Sequence, residues 1–340
     1  MTKKPTLHDV AKAAGVSIAT VSNVLNKKEK ELSEQTRRKV LEAIQRLGYS
    51  PNQHARGLKK GKTNLIGFII PDQNPFFMEI LKGIHETCAE YDWQVIVACS
   101  EENEVRQNEL VDIFISQQVS GIILVPVTST LAGKDKWSNF PIVLLDREIE
   151  DSPFPSVSAT NIEGCCQATE RLAMNGHQRI GIILASPDIS TTVQRRKGYE
   201  QALHAHGLRI EPDLITYGGE YGGTQSQING GYRSTMHLLN LPQPATAIIA
   251  INHLLMLGAL KAMKEMKVRV PDDVAFIGFD DHPWSEINTP QLTVVSQPAY
   301  DMGRQSIHIL RALDEDKTAR SIKLPMKLII RESCGTATMM

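Results

Sequence analysis

Several polar segments of the sequence directly follow short apolar runs: PDQNPFF, ACSEEN, VPVTS, LLDRE, LASPDIS, AINH and GFDDHPW. They contain Asp72, Asn74, Asp146, Asn252 and Asp280. Carboxylates accept hydrogen bonds, and amides both accept and donate them. Arg147, with Arg195 from a helix-period segment, adds planar donor forks suited to paired hydroxyls, a carboxylate or a phosphate. Phe76, Phe77 and Trp284 offer the flat apolar faces that a sugar ring or heterocycle packs against. This is the chemistry of recognition. No Gly-x-Ser-x-Gly, phosphate-binding loop or His-Glu-x-x-His is present, and the adjacent carboxylates Asp280 and Asp281 point in different directions. We therefore expect no enzyme, no cofactor and no metal site. Plainer roles stand beside these: Phe77 has core spacing, Asp72 can cap the next helix, and Trp284 can cover a lobe.

A second chemistry lies at the N-terminus, in GVSIATVSNVLN. Ser17 is placed to cap a helix whose outer face carries Ile18, Ala19 and Asn23, small or neutral groups where a solvated helix carries charge. Such a face suits base edges in a major groove, Ile18 and Ala19 against thymine methyls and Asn23 on an adenine edge or a phosphate, although Ile18 can also staple the next helix and short helical hairpins occur in proteins that bind no DNA. The hydroxyls of Thr20 and Ser22 suit phosphate oxygens. Residues 1–62 hold 14 Lys and Arg against 5 Asp and Glu, a net +9, whereas the rest of the chain is net −10. A basic head on an acidic body points to a polyanion at the head only.

The elements that position these groups can be read from periodicity. Thr6 and Asp9 form a capping-box pattern before a helix that ends at Gly15, and a second helix follows after a short turn, making a helix-turn-helix. A third helix runs from Ser33 to Leu47, with Val40, Leu41, Ile44 and Leu47 expected inward. In YSPNQHARGLKKGKT, Asn52 can cap a segment too short to be helical alone. There Leu58, among Arg56, Lys59 and Lys60, has the composition of a minor-groove wedge or of an ordinary linker. From residue 64, apolar runs at 65–70, 94–99, 121–126 and 141–146 alternate with helical segments, and the alternation restarts after residue 160. The fold class is α/β: an all-α head and a two-lobed body with parallel sheets. Ligands of such sheets bind beyond the strands' carboxyl ends.

TLHDVAKAAGVSIATVSNVLN, RRKVLEAIQRLGYSPNQHARGL and TNLIGFIIPDQNPFF resemble the lactose/galactose repressor (LacI/GalR) family of bacterial transcription regulators, across essentially the whole chain. The resemblance implies a homodimer on double-stranded operator DNA, a body like periplasmic sugar-binding proteins, and a small-molecule effector of carbohydrate type. It makes Ile18, Ala19 and Asn23 base readers and Leu58 the wedge. It has Ala55 packing paired hinge helices, and Thr6, Asn52, His54 and Lys59 counted with the DNA-contacting set. Arg195 and Asp280 become the effector-holding pair, with Asp146 and Asn252 as further contacts.

It also divides the chain into a head (1–50), a hinge (51–62), a first lobe (63–160 with 292–325) and a second lobe (161–291 with 326–340). Two departures stand out. Many relatives have Arg where this chain has Asn23, and Asp where it has His253, either an imidazole bringing sensitivity near pH 6 to 7 or a solvent-facing His with no role. With no apolar span or secretory signal, a cytoplasmic protein without a membrane partner is expected. The competing function is a ligand-binding sensor whose head contacts protein.

Overall fold

A computed structural model describes residues 5–25, 32–49, 63–219, 223–315 and 318–335. The chain divides into two compact units, Met1–Thr63 and Asn64–Met340. In the first, α1 (Leu7–Ala14), α2 (Ile18–Leu25) and α3 (Glu34–Leu47) surround Val10, Ala11, Val21, Val24, Val40 and Ala43. The capping box is formed: Asp9 N–H donates to Thr6 Oγ1, and Thr6 N–H donates to Asp9 Oδ2 at 2.8 Å. Gly15 takes the left-handed conformation (φ 67°) that releases the chain from α1 into the turn. One inward expectation is corrected. Leu41 is 46% exposed, and the smaller Ala43 is buried with Val40, because Val40, Ala43, Ile44 and Leu47 keep the spacing of one helix face and Leu41 falls off it.

The second unit holds two six-stranded sheets. The first comprises β1 (Leu65–Ile70), β2 (Gln94–Cys99), β3 (Gly121–Leu124), β4 (Ile142–Leu145), β5 (Ser156–Ala159) and a late strand, β11 (Ile322–Leu324), in the order β11-β5-β4-β3-β1-β2. The second comprises β6 (Ile180–Leu184), β7 (Ile215–Tyr217), β8 (Ala247–Ala250), β9 (Ala275–Phe279), β10 (Thr293–Ser296) and β12 (Lys327–Ile329), in the order β12-β10-β9-β8-β6-β7. All pairings are parallel except β10 with β12. The central strands are buried on both faces, as their Ile, Val and Leu runs require: β3, β4, β6, β8 and β9 are buried at every position. The edge strand β2 departs from that rule, with Ile96 and Val97 more than a third exposed despite an equally apolar sequence.

Both sheets are wound alike: the first strand of each lies between its second and third strands, so the strand order reverses at β1 and at β6. The chain passes between lobes near residues 160, 297 and 325. The second passage corrects the sequence reading. Strand 293–296 belongs to the second lobe, where Thr293, Val294 and Val295 pair with Ile277, Gly278 and Phe279. Only the following helix (Ala299–Asp314) and β11 return to the first lobe, where that helix packs on the helix Pro75–Glu90. Glycine permits this: a Cβ on Gly83 would collide with the carbonyl of Tyr300, and one on Gly303 with that of Ile80.

Candidate functional site

Positions after the strands' carboxyl ends converge between the lobes on a cleft enclosing about 690 Å³, counted out to its mouth. Asp146 and Asp280 hold equivalent places, each directly following the fourth strand of its lobe, and both adopt positive φ (64° and 71°). Aspartate tolerates that conformation better than most residues, and here it turns a carboxylate back over the strand end. Between them lies Arg195, on the helix Ser190–Ala205, 4% exposed. Its Nε donates to Asn161 Oδ1 at 2.8 Å, Nη1 to the carbonyl of Ile251 and Nη2 to Gln297 Oε1 at 3.0 Å, and its guanidinium lies over Phe279. Gln297 Nε2 in turn donates to Asp280 Oδ1 at 2.7 Å.

Asp146 Oδ1, Asp280 Oδ2 and Thr192 Oγ1 are buried without a hydrogen-bond partner among the described residues, although the backbone N–H of His253 faces Asp280. Buried polar atoms are normally satisfied, so three orphans in one cleft mark a place where something else binds. Burial pushes the Asp146 carboxyl up to about 6 against the pull of Arg195 and Arg147. Burial also raises Asp280 and Asp72, and it lowers Arg195.

The remaining expected residues are present with their polar groups already in use. Arg147 lines the cleft, but its fork holds Glu102 at 2.7 and 3.0 Å, and Nη1 also donates to the Pro126 carbonyl. Burial works against the Arg147 charge, and Glu102 overrides it, raising the pKa. Asp72 accepts from the Asn74 backbone at 3.0 Å and from Gln227 Nε2 at 2.8 Å. Asn74 and Asn252 each cap a helix, accepting from Phe76 N–H and Leu255 N–H, and Asn252 Nδ2 donates to Gln227 Oε1. Phe76 and Phe77 form one wall, edge to face at 5.3 Å.

Trp284 does not line the cleft. It stacks on His282 at 5.6 Å, both rings meeting His253 edge-on, and it packs against the core. His253 belongs to the same aromatic cluster. Burial and His282 push its pKa down to about 4, which removes the expected sensitivity near pH 6 to 7. Glu102, Gln227, Gln297 and Thr192 also line the cleft, beyond the residues the sequence points to. Gln297 follows β10 and obeys the strand-end rule, whereas Gln227 lies inside the helix Gly223–Leu239, where no such signal exists.

In the head, Ser17 Oγ accepts from Thr20 N–H at 3.0 Å and lies 2.8 Å from Thr20 Oγ1. Ser17, Ile18, Ala19 and Asn23 are exposed along one face of α2, Thr20 and Ser22 are half-buried, and Thr6 is exposed at its cap. Asn52, His54, Ala55, Leu58 and Lys59 lie outside the described residues. No helix among the described residues is long and apolar enough to cross a membrane.

A helix-turn-helix joined to a two-lobed body with a cleft of this kind defines a ligand-responsive DNA-binding regulator. Residues 6–52 match the family described as "Bacterial regulatory proteins, lacI family", and residues 169–334 match a periplasmic binding protein-like domain. The HTH-type transcriptional regulator RegA of Clostridium saccharobutylicum is 33% identical, over 96% of this chain and 98% of its own. A solved complex of the transcriptional regulator CelR with cellobiose is 30% identical (TM-score 0.72), covering 97% and 99% of the two chains. The lac repressor dimer bound to operator and the anti-inducer ONPF superimposes with TM-score 0.84 at 27% identity, covering 98% of this chain and 100% of that one. The chain belongs to the LacI family of bacterial transcriptional regulators. Its relatives are regulators and not enzymes.

Proposed function

We propose that this protein is a repressor released from or recruited to its operator by a neutral, hydroxyl-rich small molecule, a sugar or sugar derivative, bound between the lobes. The observation that carries the reading is the set of orphan acceptors, Asp146 Oδ1 and Asp280 Oδ2, flanking Arg195. A hydroxyl donates to each carboxylate without bringing charge, and the Phe76–Phe77 wall takes the apolar face of a ring. Electrostatics argue against an anion. Glu102 consumes Arg147, which leaves Asp72, Asp146 and Asp280 around one arginine already bonded on three sides. On the DNA side, Ile18, Ala19 and Asn23 read the major groove while Thr20, Ser22 and the surrounding cations contact phosphates. The protein acts as a homodimer in the bacterial cytoplasm, and the apolar edge strand β2 contributes surface to the subunit interface.

The test is a thermal-shift panel of neutral pentoses, hexoses, disaccharides and nucleosides alongside sugar acids and sugar phosphates. A ligand at a hundredfold its Kd stabilises the folded state by about 2.7 kcal/mol. We expect at least one neutral compound to raise Tm and the phosphorylated forms to leave it unchanged. Stabilisation confined to anionic compounds would refute the assignment.

A further inference from the structure

Glu148, outside the cleft lining, joins the two lobes in a way the effector reading does not require. It is anchored in the first lobe: Ser158 Oγ on β5 donates to its Oε1 at 2.7 Å, and Lys323 Nζ on β11 pairs with the same oxygen at 3.0 Å. From there it reaches the helix Ser190–Ala205 of the second lobe twice. Gln194 Nε2 donates to Glu148 Oε2 at 2.6 Å, and the Glu148 backbone N–H donates to Ser190 Oγ at 2.8 Å. The bonds continue inward: Asn161 Nδ2 donates to Gln194 Oε1 at 3.0 Å, and Asn161 Oδ1 is the acceptor of Arg195 Nε. Asn161 is 1% exposed and sits where the chain passes between lobes. One connected set of bonds therefore runs from a lysine on an edge strand to the arginine at the centre of the cleft.

We infer that Glu148 is an interlobe latch, a positioning residue that holds the lobes closed and sets the orientation of Arg195 without touching the ligand. Charge-assisted bonds of this length are about twice as strong as neutral ones. One of them, from Gln194, crosses between the two lobes beside the neutral bond from Glu148 N–H to Ser190, while those from Ser158 and Lys323 fix the carboxylate within the first lobe; together they bias a hinge of three chain passages. Opening the lobes breaks the Gln194 and Ser190 bonds together and frees Asn161 to release Arg195, so closure and arginine placement are one event. The latch acts with the cleft empty, so its test is independent of what the effector is.

The experiment measures interlobe distance by electron spin resonance in the full-length, ligand-free protein. Labels are carried at exposed Ser129 in the first lobe and exposed Lys197 in the second, with half-buried Cys99 and Cys166 changed to serine. Glu148→Ala and Gln194→Ala should each raise the long-distance population about tenfold, the order expected when one charge-assisted bond is lost from one state of a two-state hinge. Glu148→Gln, which keeps the shape and loses the Lys323 pairing, should fall between. Should Glu148→Ala fail to fold, Gln194→Ala and Lys323→Met carry the same reading. A distance distribution unchanged in the folded variants overturns the proposal, because a purely local packing role would leave the hinge where it was.

Discussion

At the scale of single residues, the cleft holds its charges at a cost to the unliganded fold. Asp146 has a pKa near 6 in the folded chain against an ordinary 3.8, so its burial favours the protonated form. The sign follows. A raised carboxylate contributes stability that is fully present below about pH 4 and is lost as pH rises through about 6, a swing of at most about 3 kcal/mol. Asp146→Asn, which keeps the size and tolerates the positive φ, should therefore raise Tm at about pH 7.5, with the gain shrinking towards about pH 4. It should also abolish the shift produced by the effector. Thermal melts across that range check both; a variant less stable than the parent at neutral pH would contradict the assigned protonation. The types of the site residues were legible from strand ends, as Asp72, Asp146 and Asp280 show. Their availability was not. Arg147 looked like a ligand fork until Glu102, 45 positions away, was found across from it, and Trp284 looked like a wall until two histidines were found against it. Spacing in sequence carries no information about which partner a long side chain finds first.

At the scale of elements, the alternation of apolar runs with helical stripes located the central strands because burial on both faces leaves an unbroken Ile, Val and Leu signature. The short edge strands β7, β11 and β12 lack that signature, since three residues at a sheet edge need no continuous apolar run. The placement of β10 is not legible for a different reason: its sequence says strand, but which sheet it joins is decided by where the preceding chain leaves it. The return helix Ala299–Asp314 shows what then holds the crossing in place. Gly83 and Gly303 let its backbone lie against the helix Pro75–Glu90, and Gly303→Ala would drive a methyl into the Ile80 carbonyl. Because backbone on both sides must shift, the substitution should cost about 2–3 kcal/mol and lower Tm by several degrees. The head should bind non-specific DNA as before in short assays below the transition, which a calf-thymus titration checks. Unchanged melting would mean that the two helices do not meet as described.

At the scale of the whole molecule, a +9 head and a −10 body divide the labour. Phosphate contacts belong to the head, so affinity for arbitrary duplex should fall steeply with salt, with a slope of about −0.9 for each phosphate neutralised. The effector should leave that slope alone, since no cleft residue is among the cations that make it. Sequence-specific binding is different: it requires two heads at a fixed separation, which only the paired bodies can set. If the ligand closes the lobes around Arg195 and the carboxylates as proposed, operator affinity changes by some factor, and linkage demands that operator change effector affinity by the same factor. The comparison can be made with an operator selected from a random duplex pool and with whichever neutral sugar raises Tm. Effector affinity is titrated with and without saturating operator, and operator affinity with and without saturating effector. Equal factors are expected, and both should collapse to unity on Arg195→Lys, which keeps the charge but loses the three-way fork to Asn161, Ile251 and Gln297. If the sugar binds with the same affinity whether or not operator is present while still displacing the protein from it, the two sites are not coupled through the folded chain and the ligand is acting elsewhere.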